Sequence, residues 1–502
     1  MDRIGIIDIG PSSLRLMLSE VDKNGYFKII DELKTSIRLC HDLVTDYSIC
    51  NDNFSVIIST LKAYKSLCTV SGASKIFAVA TESLRDANNK DNLLSLIKKE
   101  LGIDIKILTC EEEIYYNFLG IKRSMYIKNS LLVEVASTDT HLIWVKDNKI
   151  INKETLPVGS VNLSYKYDLK DRVLPQSLID TKEALINLIN TIPWLKETKF
   201  DSIIGVAAII RNIGKIDRAR KRYPFDIPHN YELSDFDIKE IFNLLKCKDF
   251  KQRKKLEGID PELSDIIVGG TAIFKNIVDA VQCNKIIVSS RGLREGVLYE
   301  HLIKNYPVSN DILDFSLYGI LDTLNCDKNH AKNVFNITYN LYNSLKPLHH
   351  LGDEFFNIIK TSSMLHDCGI SINYYGHHKH SFYIILNSHI NGLTHKELLM
   401  SACIAASHRF NGYHPPISPF ASIINQLDFK VIKYIGVLVK IAEGLDRSLV
   451  GAVKDLNISF DDENVIIKVY SDIDVSFEVR QALRASESFK EIYNKNLIIK
   501  SY

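Results

Sequence analysis

A short apolar run near the start of the chain leads into residues that can bind phosphate or a metal ion. The run Ile4–Ile9 contains Asp8, and the turn after it contains Gly10, Ser12 and Ser13. A strand that ends near an aspartate and turns through glycine and serine can direct backbone N–H groups and hydroxyls at a phosphate. The aspartate can also hold Mg²⁺, usually through water. An ordinary β-hairpin with glycine at its turn uses the same residues, so this segment alone leaves both interpretations open.

Two later segments place polar residues at predicted helix starts. Ala80–Ala87 is a strand end that opens into a helix, with Thr81 as a candidate cap and Arg85 one turn in. The free N–H groups of a helix start form a natural anion site, although a capped helix with a surface arginine fits equally well. Residues 111–113 are three glutamates at the start of another predicted helix. The helix dipole favours acids there, and one that points inward can act as a general base for water.

Histidines and aspartates with ligand potential recur in the last third of the chain. His330, the dipeptide His366-Asp367 and Asp446 follow one another in an order that resembles the HD metal-dependent phosphohydrolases. In that pattern imidazoles and carboxylates from separate helices hold a divalent metal, which lowers the pKa of bound water and polarises a phosphate. A hydrogen-bonded helical core without metal is the alternative. Two further histidines are candidates for a second metal or for substrate phosphate: His380 and His408.

The elements that must position these residues alternate between strand and helix. Between residues 4 and 145, strand-like runs alternate with apolar residues at helical spacing, which predicts an α/β domain with a largely buried sheet. A second hairpin restarts at Ser130, with strands over Leu131–Val135 and Leu142–Val145. This echo of the opening hairpin indicates an internal duplication with a cleft between the halves, although similar hairpins also arise by chance. After Pro307 the sequence reads as helices, and then as a small α/β tail.

Length and composition limit the classes of protein that fit. The chain has 502 residues, 46% hydrophobic and 25% charged, which excludes a disordered, collagen-like or coiled-coil protein and favours several globular domains. A net charge of +1 argues against a nucleic-acid partner. The nine cysteines are scattered without a C-x-x-C pair, which is typical of reduced thiols. The sequence shows neither a signal peptide nor a membrane span, so we expect a cytoplasmic protein with no membrane partner.

The candidate segments, in this order and spacing, resemble the exopolyphosphatase / guanosine pentaphosphate phosphohydrolase (Ppx/GppA) family of the actin-like ATPase superfold. The resemblance covers nearly the whole chain and continues into the helical region. Five further segments carry it: Ile107–Glu113, Phe118–Gly120, Leu156–Gly159, Ile266–Thr271 and Ser290–Gly296.

The resemblance implies an α/β fold with two actin-like (ribonuclease H-like) lobes, followed by an all-helical HD-like domain and a small α/β tail. We place these domains at residues 1–125, 126–304, 305–450 and 451–502. The family removes terminal phosphates from inorganic polyphosphate, or the 5′ phosphate of pppGpp, using Mg²⁺ or another divalent cation. The resemblance therefore implies that polyphosphate or a guanosine alarmone is the partner, and that the protein is a homodimer.

The resemblance assigns the family's site residues to matching positions of this sequence. Glu113 matches the family's water-activating carboxylate, Asp8 its metal-associated aspartate, and Glu134 the corresponding metal position of the second lobe. The residues that fall on phosphate-binding segments are Gly10, Ser12, Ser13 and Arg85. The metal ligands expected in the HD-like domain are His330, His366, Asp367 and Asp446.

The second phosphate loop departs from the family's pattern. Glu134 stands where aspartate is usual, residues 136–138 replace three glycines, and His141 replaces a later glutamate. Side chains with a Cβ resist the backbone conformations that glycine allows, and Asp139 adds negative charge beside the expected phosphate. This predicts hydrolysis that is weakened, redirected to another phosphorylated substrate or lost. Two alternatives stay open: an HD-type metal phosphohydrolase, and a catalytically weak sensor that binds polyphosphate or an alarmone.

Overall fold

The computed structural model describes residues 1–39, 48–409, 416 and 418–502. The chain forms two compact units, Met1–Val308 and Ser309–Tyr502. Each unit has its own sheets and helices and is described by itself. The finer division into four domains stays a prediction.

The first sheet of Met1–Val308 is a meander extended by parallel strands. Its five strands are β1 (Asp2–Ile9), β2 (Ser13–Val21), β3 (Phe27–Ser36), β4 (Lys75–Ala80) and β5 (Ile105–Ile107). They lie in the order β3-β2-β1-β4-β5, in which β1 is antiparallel to β2 and parallel to β4. Most residues of β1 and β2 are buried on both faces, which explains their nearly continuous apolar runs.

The second sheet of this unit repeats that arrangement. Its six strands are β6 (Asn129–Val135), β7 (Thr140–Lys146), β8 (Lys149–Leu156), β9 (Ser202–Val206), β10 (Tyr231–Leu233) and β11 (Ile286–Val288). They lie in the order β10-β11-β9-β6-β7-β8, so β10 is an added edge strand. The remaining five strands have the order and directions of the first sheet. This repeat confirms the internal duplication and the two-lobed α/β fold.

Helices cover both sheets. The helices of Met1–Val308 are α1 (Asn51–Val70), α2 (Glu82–Asp86), α3 (Lys90–Leu101), α4 (Cys110–Lys122), α5 (Ser160–Lys166), α6 (Pro175–Asn190), α7 (Pro193–Glu197), α8 (Ala207–Lys221), α9 (Asp235–Lys246), α10 (Phe250–Lys254), α11 (Ile267–Val281) and α12 (Leu293–Asn305). One face of the second sheet packs on α4, through residues such as Leu132 and Phe118. The other face packs on α8 and α11, through Leu131 and Ile273.

The hairpins of the two sheets are equivalent in register. Asp8 of β1 lies opposite Arg15 of β2, and Glu134 of β6 lies opposite His141 of β7. Asp8 and Glu134 are each the second-to-last residue of their strand. The duplication therefore presents one carboxylate from each lobe at matching positions.

Two helices that carry site residues approach each other very closely. A Cβ at Gly296 of α12 would lie 1.9 Å from the carbonyl oxygen of Tyr116 in α4. A Cβ at Gly120 of α4 would lie 2.3 Å from the carbonyl oxygen of Gly292, just before α12. Glycine at these positions permits backbone contact between the helices and fixes α4 against α12.

The unit Ser309–Tyr502 is mostly helical. Its helices are α13 (Ile312–Thr323), α14 (Lys328–Ser344), α15 (Lys346–His349), α16 (Phe356–Met364), α17 (His377–Asn387), α18 (His395–Ala406), α19 (Gln426–Leu445), α20 (Ser476–Ala482) and α21 (Ser486–Tyr493). A small sheet orders its strands β12-β13-β14, with β12 (Asp455–Phe460), β13 (Asn464–Tyr470) and β14 (Asn496–Ser501). This confirms the helical region and the α/β tail. No helix in the described parts of the chain has the length and apolar character needed to cross a bilayer.

Candidate active site

The two equivalent hairpins border a cavity of about 150 Å³ within Met1–Val308. Residues from β1, β6, α4 and the first turn meet there although they are far apart in the sequence. Six of the site residues predicted from the sequence line the cavity: Asp8, Gly10, Ser12, Ser13, Glu113 and Glu134. The tertiary fold therefore assembles one site from most of the predicted lobe residues.

The three glutamates at the start of α4 have three different environments. The carboxylate of Glu112 accepts from the Thr109 N–H at 3.0 Å, and the Thr109 hydroxyl accepts from the Glu112 N–H at 3.2 Å. This reciprocal capping box fixes the helix start. Glu111 is exposed and pairs with Lys153. Glu113 turns inward and is only 5% exposed, so it is the glutamate that reaches the cavity.

The Glu113 carboxylate is held in place by Arg85. Nη1 of Arg85 donates to Oε2 of Glu113 at 3.2 Å and to the Leu108 carbonyl at 3.0 Å. Burial raises the pKa of Glu113 to about 8; Glu134 adds to the rise, and His141 opposes it. A carboxyl with this pKa can accept a proton near neutral pH. In this arrangement Arg85 positions Glu113, and its direct contact with phosphate stays a prediction.

The first loop, between β1 and β2, is held by its own hydrogen bonds and lies beside the Asp8 carboxylate. The Gly10 N–H donates to the Ser13 carbonyl at 3.1 Å, and the Ser13 hydroxyl accepts from Nε of Arg15 at 3.2 Å. Oδ1 of Asp8 is buried and has no hydrogen-bond partner in the described part of the chain. Burial raises the pKa of Asp8, and the positive charge of Arg15 limits the rise. This oxygen is free to accept a ligand in the cavity.

The second loop is occupied by a carboxylate from the first lobe. The Ser137 N–H donates to Oε1 of Glu82 at 3.0 Å, and the Thr138 hydroxyl donates to Oε2 at 3.1 Å. Burial raises the pKa of Glu82 well above its usual range, and Asp139 and Glu113 add to this rise. Glu82 thus already accepts from the Ser137 N–H and from the Thr138 hydroxyl of this loop.

His141 lies between two acids of the second lobe. Its Nδ1 is 3.3 Å from Oε2 of Glu134, and its Nε2 is 3.4 Å from Oδ2 of Asp139. Burial opposes its charged form, but the two carboxylates outweigh burial and raise the pKa of His141 to about 11. Asn117 donates to the same oxygen of Glu134 at 2.7 Å. The replacement of glutamate by His141 therefore supplies a cation that balances Glu134 and Asp139.

Three arginines bring positive charge to the cavity: Arg15, Arg211 and Arg294. The same three also line an adjoining groove of about 320 Å³, together with Lys34 and Lys215. Two carboxylates line this groove as well: Glu32, which pairs with Arg294, and Asp260, which pairs with Lys34. Clustered guanidinium and ammonium groups favour an anion with several charges. The cavity and the groove together therefore place five cationic side chains beside the carboxylates that line the cavity.

Three residues of the site were not predicted from the sequence: Arg211, Asn117 and Glu82. For the first two, the sequence contains a pattern that could have identified them. Arg211 comes five positions after the end of β9, the same separation as Arg85 has from the end of β4, so the internal repeat predicts it. Asn117 lies four positions after Glu113 on the same helix face. Glu82 lies in one of the candidate anion-binding segments, but its contact with the second loop depends on how the lobes meet.

A second group of candidate residues lies in Ser309–Tyr502. His330, His366 and Asp367 come together as expected, and Glu443 of α19 joins them, with one potential ligand atom from each residue all within 4.8 Å of one another. Asp446 lies on the other side of His330, where its Oδ2 is 2.8 Å from Nδ1 of that ring. The structure therefore places Glu443 where the sequence analysis expected Asp446.

A further set of potential ligands shares Asp367. His377 and His408 lie beside it in a group of the same tight spacing. His408 is one of the two histidines that the sequence offers for a second metal. The other one, His380, lies outside both groups that the described residues form.

Comparison with known families identifies both units. The model of the Ppx/GppA phosphatase family matches residues 18–305, and the model of Ppx/GppA phosphatase, domain III, matches residues 314–485. The first match alone covers more than half of the chain.

Similar proteins agree with these matches. A Pseudoalteromonas translucida protein named guanosine-5′-triphosphate,3′-diphosphate pyrophosphatase is 24% identical over 419 residues, 80% of each chain. A Fusobacterium nucleatum bifunctional 3-dehydroquinate synthase/phosphatase is 26% identical over 306 residues, 59% of this chain and 46% of that protein. The crystal structure of a Cytophaga hutchinsonii exopolyphosphatase superimposes with a TM-score of 0.57 at 21% identity, over 60% of this chain and 98% of that one. The fold is therefore that of the two-lobed actin-like phosphatases.

Proposed function

The chain belongs to the Ppx/GppA phosphatase family, and on this premise we propose that it removes the terminal phosphate of inorganic polyphosphate or of pppGpp. As a member of this family it is a hydrolase of phosphoanhydride bonds. One observation carries the proposed site: the buried Glu113 carboxylate faces a cavity that three arginines also line. A base and an anion-binding surface thus meet in one enclosed volume.

In the proposed reaction Glu113 takes a proton from a water molecule in the cavity. The water oxygen forms a bond to the terminal phosphorus as the bond from phosphorus to the bridging oxygen breaks. Arg85 keeps the carboxylate oriented through its hydrogen bond of 3.2 Å. The guanidinium groups of Arg15, Arg211 and Arg294 stabilise the charge that develops on the phosphate oxygens.

A divalent cation fits the first lobe better than the second. Oδ1 of Asp8 is a buried acceptor with no hydrogen-bond partner in the residues described, and carboxylate oxygens are the ligands that Mg²⁺ prefers. Glu134 also faces the cavity, but its Oε2 already accepts from Asn117 at 2.7 Å. We propose that Asp8 holds the cation, usually through water, with Glu134 beside it. The cation would neutralise phosphate charge when it is bound.

The choice between the two substrates depends on the group attached to the terminal phosphate. The relative from Pseudoalteromonas is named for guanosine-5′-triphosphate,3′-diphosphate, and the structure from Cytophaga is called an exopolyphosphatase. The adjoining groove, with Lys34 and Lys215, suits further phosphates of either substrate. Both substrates therefore belong to the proposal, and a direct comparison of the two distinguishes them.

The altered second loop motivates the alternative of a sensor. Glu82 fills the loop's N–H position at 3.0 Å from the Ser137 nitrogen, which removes one anion contact expected of the family. A protein that binds polyphosphate or an alarmone but releases no phosphate would have this property. The dimer is implied by the family resemblance, the cytoplasmic location is the expectation from the sequence, and both stay predictions.

Phosphate release from polyphosphate and from pppGpp, with Mg²⁺ present, tests the proposal. We expect Glu113→Gln to reduce release by about 10²-fold or more. Glu111→Gln is the matched control, because it makes the same change at an exposed position of the same helix start. The double variant His366→Ala/Asp367→Ala should keep the activity of the wild type.

Other outcomes of this phosphate-release assay would each support a different alternative. Loss only in the double variant would assign the activity to the metal-ligand cluster of Ser309–Tyr502. Binding of either substrate without release by the wild type would support the sensor. Equal loss in Glu111→Gln and Glu113→Gln would contradict the role of Glu113 as the base.

A further inference from the structure

The second loop, between β6 and β7, repeats the geometry of the first loop. In each loop the N–H of the first residue after the strand donates to a carbonyl at the far end of the loop, at 3.1 Å from Gly10 and at 3.0 Å from Ala136. The next position is Pro11 in the first loop and Ser137 in the second. Proline has no N–H. Of these two equivalent positions, only Ser137 can therefore offer a backbone donor to the cavity.

The second loop is held in place by the start of α5. The first two N–H groups of this helix donate to the carbonyls of Ala136 and Ser137, each at 2.9 Å. The side chain of Asn162 donates to the Thr138 carbonyl at 2.7 Å. None of these bonds involves Glu82, so the donors of the loop should keep their positions when the Glu82 side chain is removed.

The carboxyl group of Glu82 occupies the two donors that this loop presents. Its oxygens accept from the Ser137 N–H at 3.0 Å and from the Thr138 hydroxyl at 3.1 Å. Glu82 is only 2% exposed, and both Glu82 and Ser137 line the cavity. A phosphate group presents paired oxygens to paired donors in the same way as a carboxyl group. Glu82 thus has the position and the hydrogen bonds of a phosphate held by the loop.

The contact is one that a phosphate can replace. Burial raises the pKa of Glu82 well above its usual range, and Asp139 and Glu113 add to the rise, which favours the neutral form of this carboxyl. Donors bind a charged oxyanion more strongly than a neutral acceptor. Arg85 brings a positive charge to the same loop, because its Nη2 lies 3.8 Å from Oδ2 of Asp139. This charge offsets the repulsion between Asp139 and a bound phosphate.

We propose that Glu82 is a built-in competitor of the substrate phosphate: a carboxyl group of the first lobe that occupies the anion position of the second loop. While Glu82 is in place, this loop contributes nothing to phosphate binding, and the affinity depends on the arginines of the cavity. Glu82 therefore determines how tightly the site holds phosphate. The inference rests on the proposed function, which places the substrate phosphate in this cavity.

Binding of inorganic phosphate to the full chain tests the proposal, measured by isothermal titration calorimetry without Mg²⁺. Glu82→Ala should bind phosphate about tenfold more tightly than the wild type, a gain of about 1.4 kcal/mol, because it frees two donors. Comparison with the wild type cancels phosphate bound at any other site. Wild-type affinity in Glu82→Ala would overturn the proposal.

Glu82→Gln is the matched control. Its amide has the shape of the carboxyl group and still accepts from the Ser137 N–H, but it carries no charge at any pH. We expect its affinity for phosphate to stay close to that of the wild type. An equal gain in Glu82→Gln and Glu82→Ala would show that removal of charge is sufficient, and it would overturn the role of Glu82 as a competitor for the loop.

A double variant tests whether the loop is the source of the gain. Glu82→Ala/Thr138→Val removes the hydroxyl that Glu82 engages in the wild type. It should lose at least half of the binding free energy that Glu82→Ala gains, because the two positions are coupled. A double variant that keeps the full gain would place the phosphate elsewhere and overturn the proposal.

Tungstate locates the anion directly, since it is a tetrahedral oxyanion whose metal atom is found by anomalous scattering. Crystals of Glu82→Ala soaked in tungstate should show a peak beside the Ser137 N–H, and crystals of the wild type should show none there. A peak at this position in the wild type would overturn the proposal, even where the variant fails to fold. These experiments measure binding and not hydrolysis. A wild type that releases no phosphate, together with the expected gain in Glu82→Ala, would therefore reject the proposed reaction and keep the competitor.

Discussion

The pH dependence of phosphate release follows from the environment of Glu113. Burial raises its pKa to about 8; the carboxylates of Glu134 and Asp139 add to the rise, and the positive charges of His141 and Arg85 oppose it. A general base acts only in its ionised form. With this pKa, about one molecule in eleven is ionised at pH 7 and about one in a hundred at pH 6. We therefore expect kcat/KM, which reports the ionisation of the free enzyme, to rise about tenfold from pH 6 to 7 and about fivefold from pH 7 to 8, and to level off above pH 9.

The assay is the initial rate of phosphate release at substrate concentrations well below KM, with Mg²⁺ present, from pH 5.5 to 9.5. Samples returned from each extreme to pH 8 control for irreversible inactivation. Glu111→Gln should reproduce the wild-type profile, since Glu111 is exposed and lies outside the cavity. Glu113→Gln should lack the rising limb. A wild-type rate that stays constant from pH 6 to 9 would refute the assignment of Glu113 as the base.

Three other perturbations have outcomes that the structure determines. Arg85→Ala removes a charge that opposes the raised pKa of Glu113, so kcat/KM at pH 7 should fall and the rising limb of its pH profile should move to higher pH. The folded-state pKa of Glu113 exceeds its unfolded value of 4.5, so the folded state binds more protons between pH 4.5 and about 8. The free energy of unfolding should therefore fall across this window by up to about 1.4 kcal/mol per pH unit, and urea titrations should show that Glu113→Gln lacks this contribution. Thr109→Ala removes the capping box of α4 and should lower the free energy of unfolding by about 0.5–2 kcal/mol, measured by urea titration.

A contrary result for any of these variants would show which step of the reasoning is wrong. An unchanged pH profile in Arg85→Ala would show that this arginine does not act on Glu113. An equal pH slope of stability in wild type and Glu113→Gln would place the proton uptake elsewhere. Unchanged stability in Thr109→Ala would show that the start of α4 depends on packing rather than on its cap.

The sequence predicts the central strands better than the edge strands. β1, β4 and β6 are largely buried, so their apolar runs are visible without any structure. β3 and β8 are the outer strands of the two meanders, and most of their residues are exposed. Their polar composition hides them from a search for hydrophobic periodicity.

The sequence also predicts which types of side chain lie in both sites. It predicts less well which other side chains they contact. Asp8 and Glu113 follow from their places at a strand end and a helix start, and both line the cavity. The family resemblance assigns Arg85 to phosphate. In the structure this side chain contacts Glu113, the Leu108 carbonyl and Asp139. Contacts between side chains on different elements depend on how those elements pack, which spacing along the chain does not record.

The order of the elements, the repeated hairpin and the supply of carboxylates and histidines can be inferred from the amino-acid sequence. Which of these groups meet depends on how the elements pack. Glu443 and Asp446 are three residues apart at the end of α19, yet one joins the potential ligands and the other lies behind His330. Three residues turn a helix by about 300°, so the two side chains lie only about 60° apart, and the packing of α14 against α19 selects the one that points into the cluster.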